Sequence, residues 1–279
     1  MLLSFSMKSP LRILFLILLC SYSASAQLGG ISGLKIVTFH PDPIPKKTVE
    51  FEPTFNVSRS SGFFDRSSFT GSDTIEIESN LSWRLTYGLS DRIEVGMNFQ
   101  SDVVFGNFDF KVKLNDSDKL RFGAVGGLGV PLGNRSFSFS NPSIDDVSNY
   151  TLGIIGTYET DSLTSIDFNF LVTDYFRDVF EISDMSMPGI RQRLTGTTLN
   201  MSAEVGSYFL AENILLVGGL GYFTTAIDDF WEAGLFGVSG VAIEIYNNYV
   251  FTFGATYTLH GINQPRTLAL GFSFTTIWD

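Results

Sequence analysis

Charged side chains recur at every second residue through the first half of this 279-residue chain. Glu50 and Glu52, Glu76 and Glu78, and Lys111 and Lys113 each stand two apart, and Arg84, Arg92, Glu94, Asp109 and Arg121 fall into the same alternation. Residues two apart share one face of a β-strand. Mixed charges on one face can do two things. They can set the electric field of a passage and select what crosses it, or they can pair across neighbouring strands and hold them together. In the second half the same positions are small or weakly polar (Gly196, Thr198, Ser202, Gly254, Thr256, Gly271, Ser273), with Glu204, Glu244 and His260 as exceptions.

Other chemistry finds little support. His40 and His260 are the two histidines, and a hydrolytic site needs a base oriented against a nucleophile. His260 closes an alternating run, and no serine stands out as its partner. No HExxH, cysteine cluster or dense carboxylate loop proposes a metal, so neither a metal nor a cofactor is expected. The run Gly126-Gly127-Leu128-Gly129 continues an alternating stretch with no helix after it, unlike a phosphate loop. The chain is not read as an enzyme.

The elements that must carry these residues are strands. Twelve alternating runs are legible, at 48–58, 74–88, 92–102, 106–115, 118–130, 147–159, 162–173, 194–210, 214–225, 233–246, 249–260 and 266–278. Soluble strands average about 5–6 residues. Nearly all of these reach the roughly 9–11 residues that a tilted strand needs to cross a bilayer. Every even-to-odd connection is a tight turn of Gly, Asn, Asp, Ser or similar residues, as at Asp116-Ser117 and Asn247-Asn248. The odd-to-even connections are generally longer, chiefly 59–73, 131–146 and 174–193, with 226–232 and 261–265 shorter. Loops sorted by parity around an even number of strands describe a transmembrane barrel. The expected fold is all-β, a single antiparallel barrel of about twelve strands with short periplasmic turns and longer extracellular loops. Ile93, Val95, Met97 and Phe99 then face lipid, while Arg92, Glu94 and Asn98 face the lumen. Tyr87, Tyr158, Phe209, Tyr249 and Trp278 fall at the short-turn end, where an interfacial aromatic girdle belongs.

The N-terminus reads as an export signal: Lys8 and Arg12, an apolar run from Ile13 to Cys20, and Ala24-Ser25-Ala26 before Gln27. The organisation expected is a leader over 1–26, a segment over 27–47 and the barrel over 48–279, exported to a Gram-negative outer membrane. Loss of Lys8 and Arg12 takes the net charge from −11 to −13. No basic stripe exists to meet phosphates, so nucleic acid is excluded as a partner. Segment 27–47 holds Pro41, Pro43 and Pro45 and an apolar centre at Leu34, Ile36, Val37 and Phe39. It either plugs the lumen or hangs in the periplasm. The three large loops carry Phe63, Phe64, Phe69, Phe137, Phe139, Tyr175, Phe176 and Phe180, residues suited to a mouth or to packing over the rim.

The stretch YGLSDRIEVGMNF at 87–99 resembles a hairpin of outer-membrane β-barrel transporter proteins, including the meta-pathway phenol-degradation-like family. SGLKIVTFHPDP at 32–43 is similar to that group's N-terminal segment. LALGFSFTTIW resembles the C-terminal signal read by barrel-assembly machinery, with Asp279 after Trp278 as a departure. The resemblance implies a channel or transporter for passive passage or uptake of small, often apolar molecules. Membrane lipid, the assembly machinery and an unnamed solute are the partners implied. A structural or adhesive barrel and a barrel lipid hydrolase are the alternatives.

Overall fold

The computed structural model describes residues 35–63, 75–100, 105–131, 149–175, 179–184, 187–193, 196–209, 213–227, 230–245 and 249–278. Alternation becomes strand at each of the twelve runs: β1 (Val49–Phe63), β2 (Glu76–Ser90), β3 (Ile93–Gln100), β4 (Phe105–Lys113), β5 (Leu120–Pro131), β6 (Asn149–Glu159), β7 (Thr164–Tyr175), β10 (Gly196–Phe209), β11 (Ile214–Ile227), β12 (Phe230–Ile245), β13 (Tyr249–Ile262) and β14 (Pro265–Trp278). Each pairs antiparallel with its neighbour, and β1 pairs β14 to close the barrel. Two further short strands, β8 (Val179–Asp184) and β9 (Met187–Arg193), form a separate hairpin between β7 and β10. The sequence reading treats that stretch as loop.

A second difference lies at the same end. The links expected over 226–232 and 261–265 shrink to two residues each, because β11 and β12 run to Ile227 and from Phe230, and β13 and β14 to Ile262 and from Pro265. At the second of these, Asn263 takes a left-handed conformation (φ 54°) that asparagine tolerates in tight turns. The sorting of loops by parity therefore rests on the connections after β1, β5 and β7.

Packing is inverted relative to a soluble sandwich. Ile77, Leu128, Leu152, Ile154, Phe170 and Leu220 are exposed on the outer face, whereas Glu50, Arg84, Glu94, Lys111, Asp167 and Glu204 are buried inside. This is the arrangement a bilayer selects, since lipid leaves no free-energy gain in hiding apolar side chains and a closed barrel leaves no unpaired edge. Tyr87 and Trp278 flank Val49 across the closing seam, and Tyr158, Phe209 and Tyr249 stand exposed at the short-turn ends of their strands.

Candidate functional site: the barrel interior

Residues 35–47 lie inside the barrel, in the half nearer the short turns, as a strap crossing from the β2–β5 wall to the β7–β13 wall. They form no continuous strand, only a single bridge at Phe39, so many of their main-chain polar groups are met by inward side chains. Glu204 on β10 meets three of them in succession. Its carboxylate accepts the N–H groups of Ile36 (3.2 Å), Val37 (3.1 Å) and Thr38 (2.9 Å) and the Thr38 hydroxyl (2.5 Å). Asn169 on β7 adds a two-way contact, accepting from Phe39 N–H (3.1 Å) and donating to Val37 O (3.0 Å). Lys35 pairs with Asp167 (3.2 Å) and donates to the Ser165 hydroxyl (2.9 Å).

Apolar side chains seat the same stretch. Phe39 is buried with Val125, Ile155 and Leu171, and Ile36 and Val37 pack on Phe223, Phe236 and Val238. The far wall is thinned for this purpose. Gly240, Gly254 and Gly271 stand in register across β12, β13 and β14. A Cβ at Gly240 would come within 2.3 Å of Ile36 Cδ1, and one at Gly254 within 2.8 Å of Ile36 Cγ2.

The near wall is ionic. Lys111 donates to His40 O (3.0 Å) and pairs with Glu94 (3.1 Å), whose other oxygen accepts Ile44 N–H (2.8 Å). Asp42 is held by Lys113 (2.8 Å) and Arg121 (2.6 Å), and Arg121 also meets Glu159. At the foot of the strap, Lys47 N–H donates to Gly88 O and Gly88 N–H to Thr48 O. Pro45 O lies where a Gly88 side chain would be, 2.1 Å from an ideal Cβ. Gly88→Ala is therefore expected to push the foot of the strap off β2. A cysteine at Lys46, read by maleimide labelling, should report a changed rate, and an unchanged rate would remove Gly88 from the seat.

Two strap residues titrate away from their ordinary values. Burial holds His40 down from 6.5 to about 4, with Arg121 and Lys111 adding to the effect and Asp167 and Asp42 opposing it. Its Nδ1 accepts the Asp42 N–H at 3.3 Å, which requires the neutral ring. The Asp42 carboxylate, 3.3 Å from that same nitrogen, becomes an ion-pair partner only on protonation. For Asp42, burial raises the value, but the Lys113 hydrogen bond and the charges of His40, Arg121 and Lys113 outweigh it and hold the carboxyl below 3.8.

Further from the strap the interior divides in character. On the β1–β2 wall, Arg84 bridges Glu50 (2.9 Å) and Glu52 (2.6 Å), and Thr275 donates to Glu52 (2.7 Å). Toward the long loops hydroxyls pair across strands at Ser60–Thr267, Thr151–Thr173 and Thr198–Thr225, and Glu232, opposite Thr225, accepts from Gln264.

The residues singled out in the sequence thus separate. Glu94, Lys111, Lys113, Arg121 and Glu204 meet the strap, and Glu50, Glu52 and Arg84 form their own cluster. Asp109 is buried between Gly96 and Gly127 of the adjacent strands. Glu244 lies next to the last residue of β12 at the short-turn end, and Glu78, exposed, near the opposite end of β2. The backbone of Glu76 pairs Ser60. Arg92 is displaced from the lumen. It precedes β3, is 59 % exposed and pairs with Asp116 in the next turn, because strand alternation stops carrying direction once the chain turns. Of the strap residues expected to be apolar contacts, Ile36 and Phe39 are placed as above, while Leu34, residues 1–26 and the loop aromatics Phe64, Phe69, Phe137, Phe139 and Phe176 lie outside the described residues. Asp167 and Asn169 were missed, although they share a face with Ser165 in an alternating run.

No family model matches the sequence, and no curated protein matches it. Solved structures do. The COG4313 outer membrane channel from Pseudomonas putida F1 is 13 % identical with a TM-score of 0.64, over 85 % of this chain and 98 % of that one. The β domain of the Bordetella autotransporter BrkA is 11 % identical with a TM-score of 0.53, over 84 % of this chain and all of that one (100 %). The fold is that of outer-membrane β-barrels. At these identities the likeness is one of fold, and this chain's chemistry rests on its own lumen.

Proposed function

We propose that this protein is an outer-membrane channel for passive passage of small solutes, exported by a leader at 1–26 and narrowed by its own strap. The observation that carries this reading is the interior itself: polar and ionic side chains point to the axis of a membrane-type barrel. The resemblance of 87–99 to barrel transporters and the likeness to the COG4313 channel support the same reading. Twelve strands lie between the roughly 8 that side chains fill and the 16–18 of wide aqueous porins. The resemblance implied apolar solutes, but hydroxyl pairs and carboxylates favour small polar ones. Excess negative charge adds a sign. Glu50 and Glu52 share the single guanidinium of Arg84, and Glu204 is met by N–H and O–H donors. Such a lining attracts cations and repels anions.

Planar-bilayer recordings of the purified protein test this. Discrete steps with a reversal potential favouring cations are expected, and Glu50→Gln/Glu52→Gln should move that potential toward anions because Arg84 stays buried without its carboxylates. Absence of steps, from protein that keeps its heat-modifiable gel mobility and in the strap-releasing variants below as well, would sink the channel reading.

A further inference from the structure

We propose that the 35–47 strap is an acid-released gate whose proton sensor is His40. The inference takes its consequence from the reading of the interior as a passage, but its test does not depend on that reading.

His40 sits where a positive charge fits poorly. Its carbonyl is held by the Lys111 ammonium from β4, and the Arg121 guanidinium from β5 grips Asp42 two residues on. Lys113, also on β4, takes the other oxygen of Asp42, and Glu94 on β3 engages Lys111. From β7, Asp167 faces the ring but is already paired with Lys35. Burial is what makes an imidazolium costly here. Asp167 and Asp42, the latter 3.3 Å from Nδ1, favour the charged ring more than Arg121 and Lys111 oppose it, but both carboxylates are already held by cations. Protonation also takes away the Nδ1 lone pair that accepts the Asp42 N–H, loosening the turn that aims Asp42 at Arg121 and Lys113.

The sign of the linkage follows. Released into water, His40 titrates near its ordinary 6.5; docked, near 4. The released strap binds the proton more tightly, so docking is strongest above pH 6.5 and weakens as pH falls toward 4. At pH 5 the ratio of released to docked strap should rise about thirtyfold over its neutral value. Asp42 adds to the same direction only below 3.8, and the His40→Gln background separates His40 from the strap's other carboxylate hold, Glu204. The strap's other holds are consistent with a gate closed at neutral pH. Glu204 and Asn169 secure its far half, and the ionic half is where acid acts.

The test places a cysteine at Pro41, which is buried and donates no hydrogen bond, in a Cys20→Ser background of the full chain in lipid vesicles. The rate of modification by a membrane-impermeant methanethiosulfonate is divided by that of Asp118→Cys, an exposed position in the β4–β5 turn and off the strap, to remove the pH dependence of the thiolate. The ratio is expected to rise by more than tenfold from pH 7.5 to 5, and to stay flat when His40→Gln is added, since glutamine can still accept the Asp42 N–H. A flat ratio with His40 present overturns the gate. So does an equal rise in the His40→Gln background. Bilayer recordings on the same variants then separate the two ideas: release seen by labelling without conductance removes the channel and leaves the latch.

Discussion

Glu204→Ala should release the strap at neutral pH. The four donors that converge on this one carboxylate belong to three consecutive residues, Ile36, Val37 and Thr38, so a single truncation orphans a whole stretch of buried main chain. A buried donor left without an acceptor costs about 1–3 kcal/mol. The strap can escape this cost by leaving, and removal of Glu204 also relieves the desolvation of a buried carboxylate. The net loss of docking is then on the order of 3 kcal/mol, or roughly two decades in the docked-to-released ratio. Modification of Pro41→Cys should accelerate correspondingly at pH 7.5, and conductance should rise with it. Glu204→Gln should fall between the parent and alanine, because an amide oxygen in the place of Oε2 keeps Ile36 and Thr38 while the NH₂ faces Val37 N–H. Unchanged labelling in both variants would mean that Phe39 and the ionic half hold the strap alone.

The strands of this barrel were legible because their signal is local and periodic. Alternation over Ile93–Phe99 or Leu268–Phe274 states which residues share a face, and a face is all that strand and barrel require. The same rule failed at Arg92, where parity was extended one residue past the strand; at Asp167 and Asn169 it holds, since both share the inward face of β7 with Ser165. The connections after β11 and β13 were overestimated because the strand ends there include Glu232, Gly261 and Pro265, types that ordinarily mark loop. The strap was legible only as a choice between lumen plug and periplasmic tail, with Leu34, Ile36 and Phe39 as the local hint of a plug. Segment 35–47 has no period, and its partners lie far off in sequence, with Phe39 and Asn169 separated by 130 residues. Prolines at 41, 43 and 45 say that the chain is neither helix nor central strand, and nothing local names its partners. Even the charges misled in one respect. Read by alternation they are a lining, whereas in the fold Glu94, Lys111, Lys113, Arg121 and Glu204 are spent on holding thirteen residues of the same chain, 35–47, in place. Selectivity then falls to the few carboxylates left in excess.

The second large effect is expected at Glu94 and Lys111. Both side chains are fully buried, 0 % exposed, on adjacent strands at 3.1 Å, and each also grips the strap, at Ile44 N–H and His40 O. Forming such a pair is costly, because two charges leave water, and the net gain over a neutral pair is small. Breaking it is another matter. Lys111→Met strands the Glu94 carboxylate next to the Glu50–Arg84–Glu52 cluster, and Glu94→Gln strands the ammonium; each should cost about 3–5 kcal/mol. Glu94→Gln/Lys111→Met removes both charges together and should recover most of the loss, since a methionine fills the lysine's volume and a glutamine can still accept from Ile44. Urea midpoints in lipid, followed by tryptophan emission, provide the readout. Trp83 and Trp278 both stack on Phe51 at the β1–β2 and β1–β14 contacts, so they report opening of the closing seam. The double-mutant cycle is the decisive quantity. A coupling of about 3 kcal/mol or more identifies the pair as a unit whose parts are tolerable only together. Additive losses would instead make each residue an independent anchor of the strap, and the deficit should then vanish from the urea midpoint once the strap is already free, in the Glu204→Ala background.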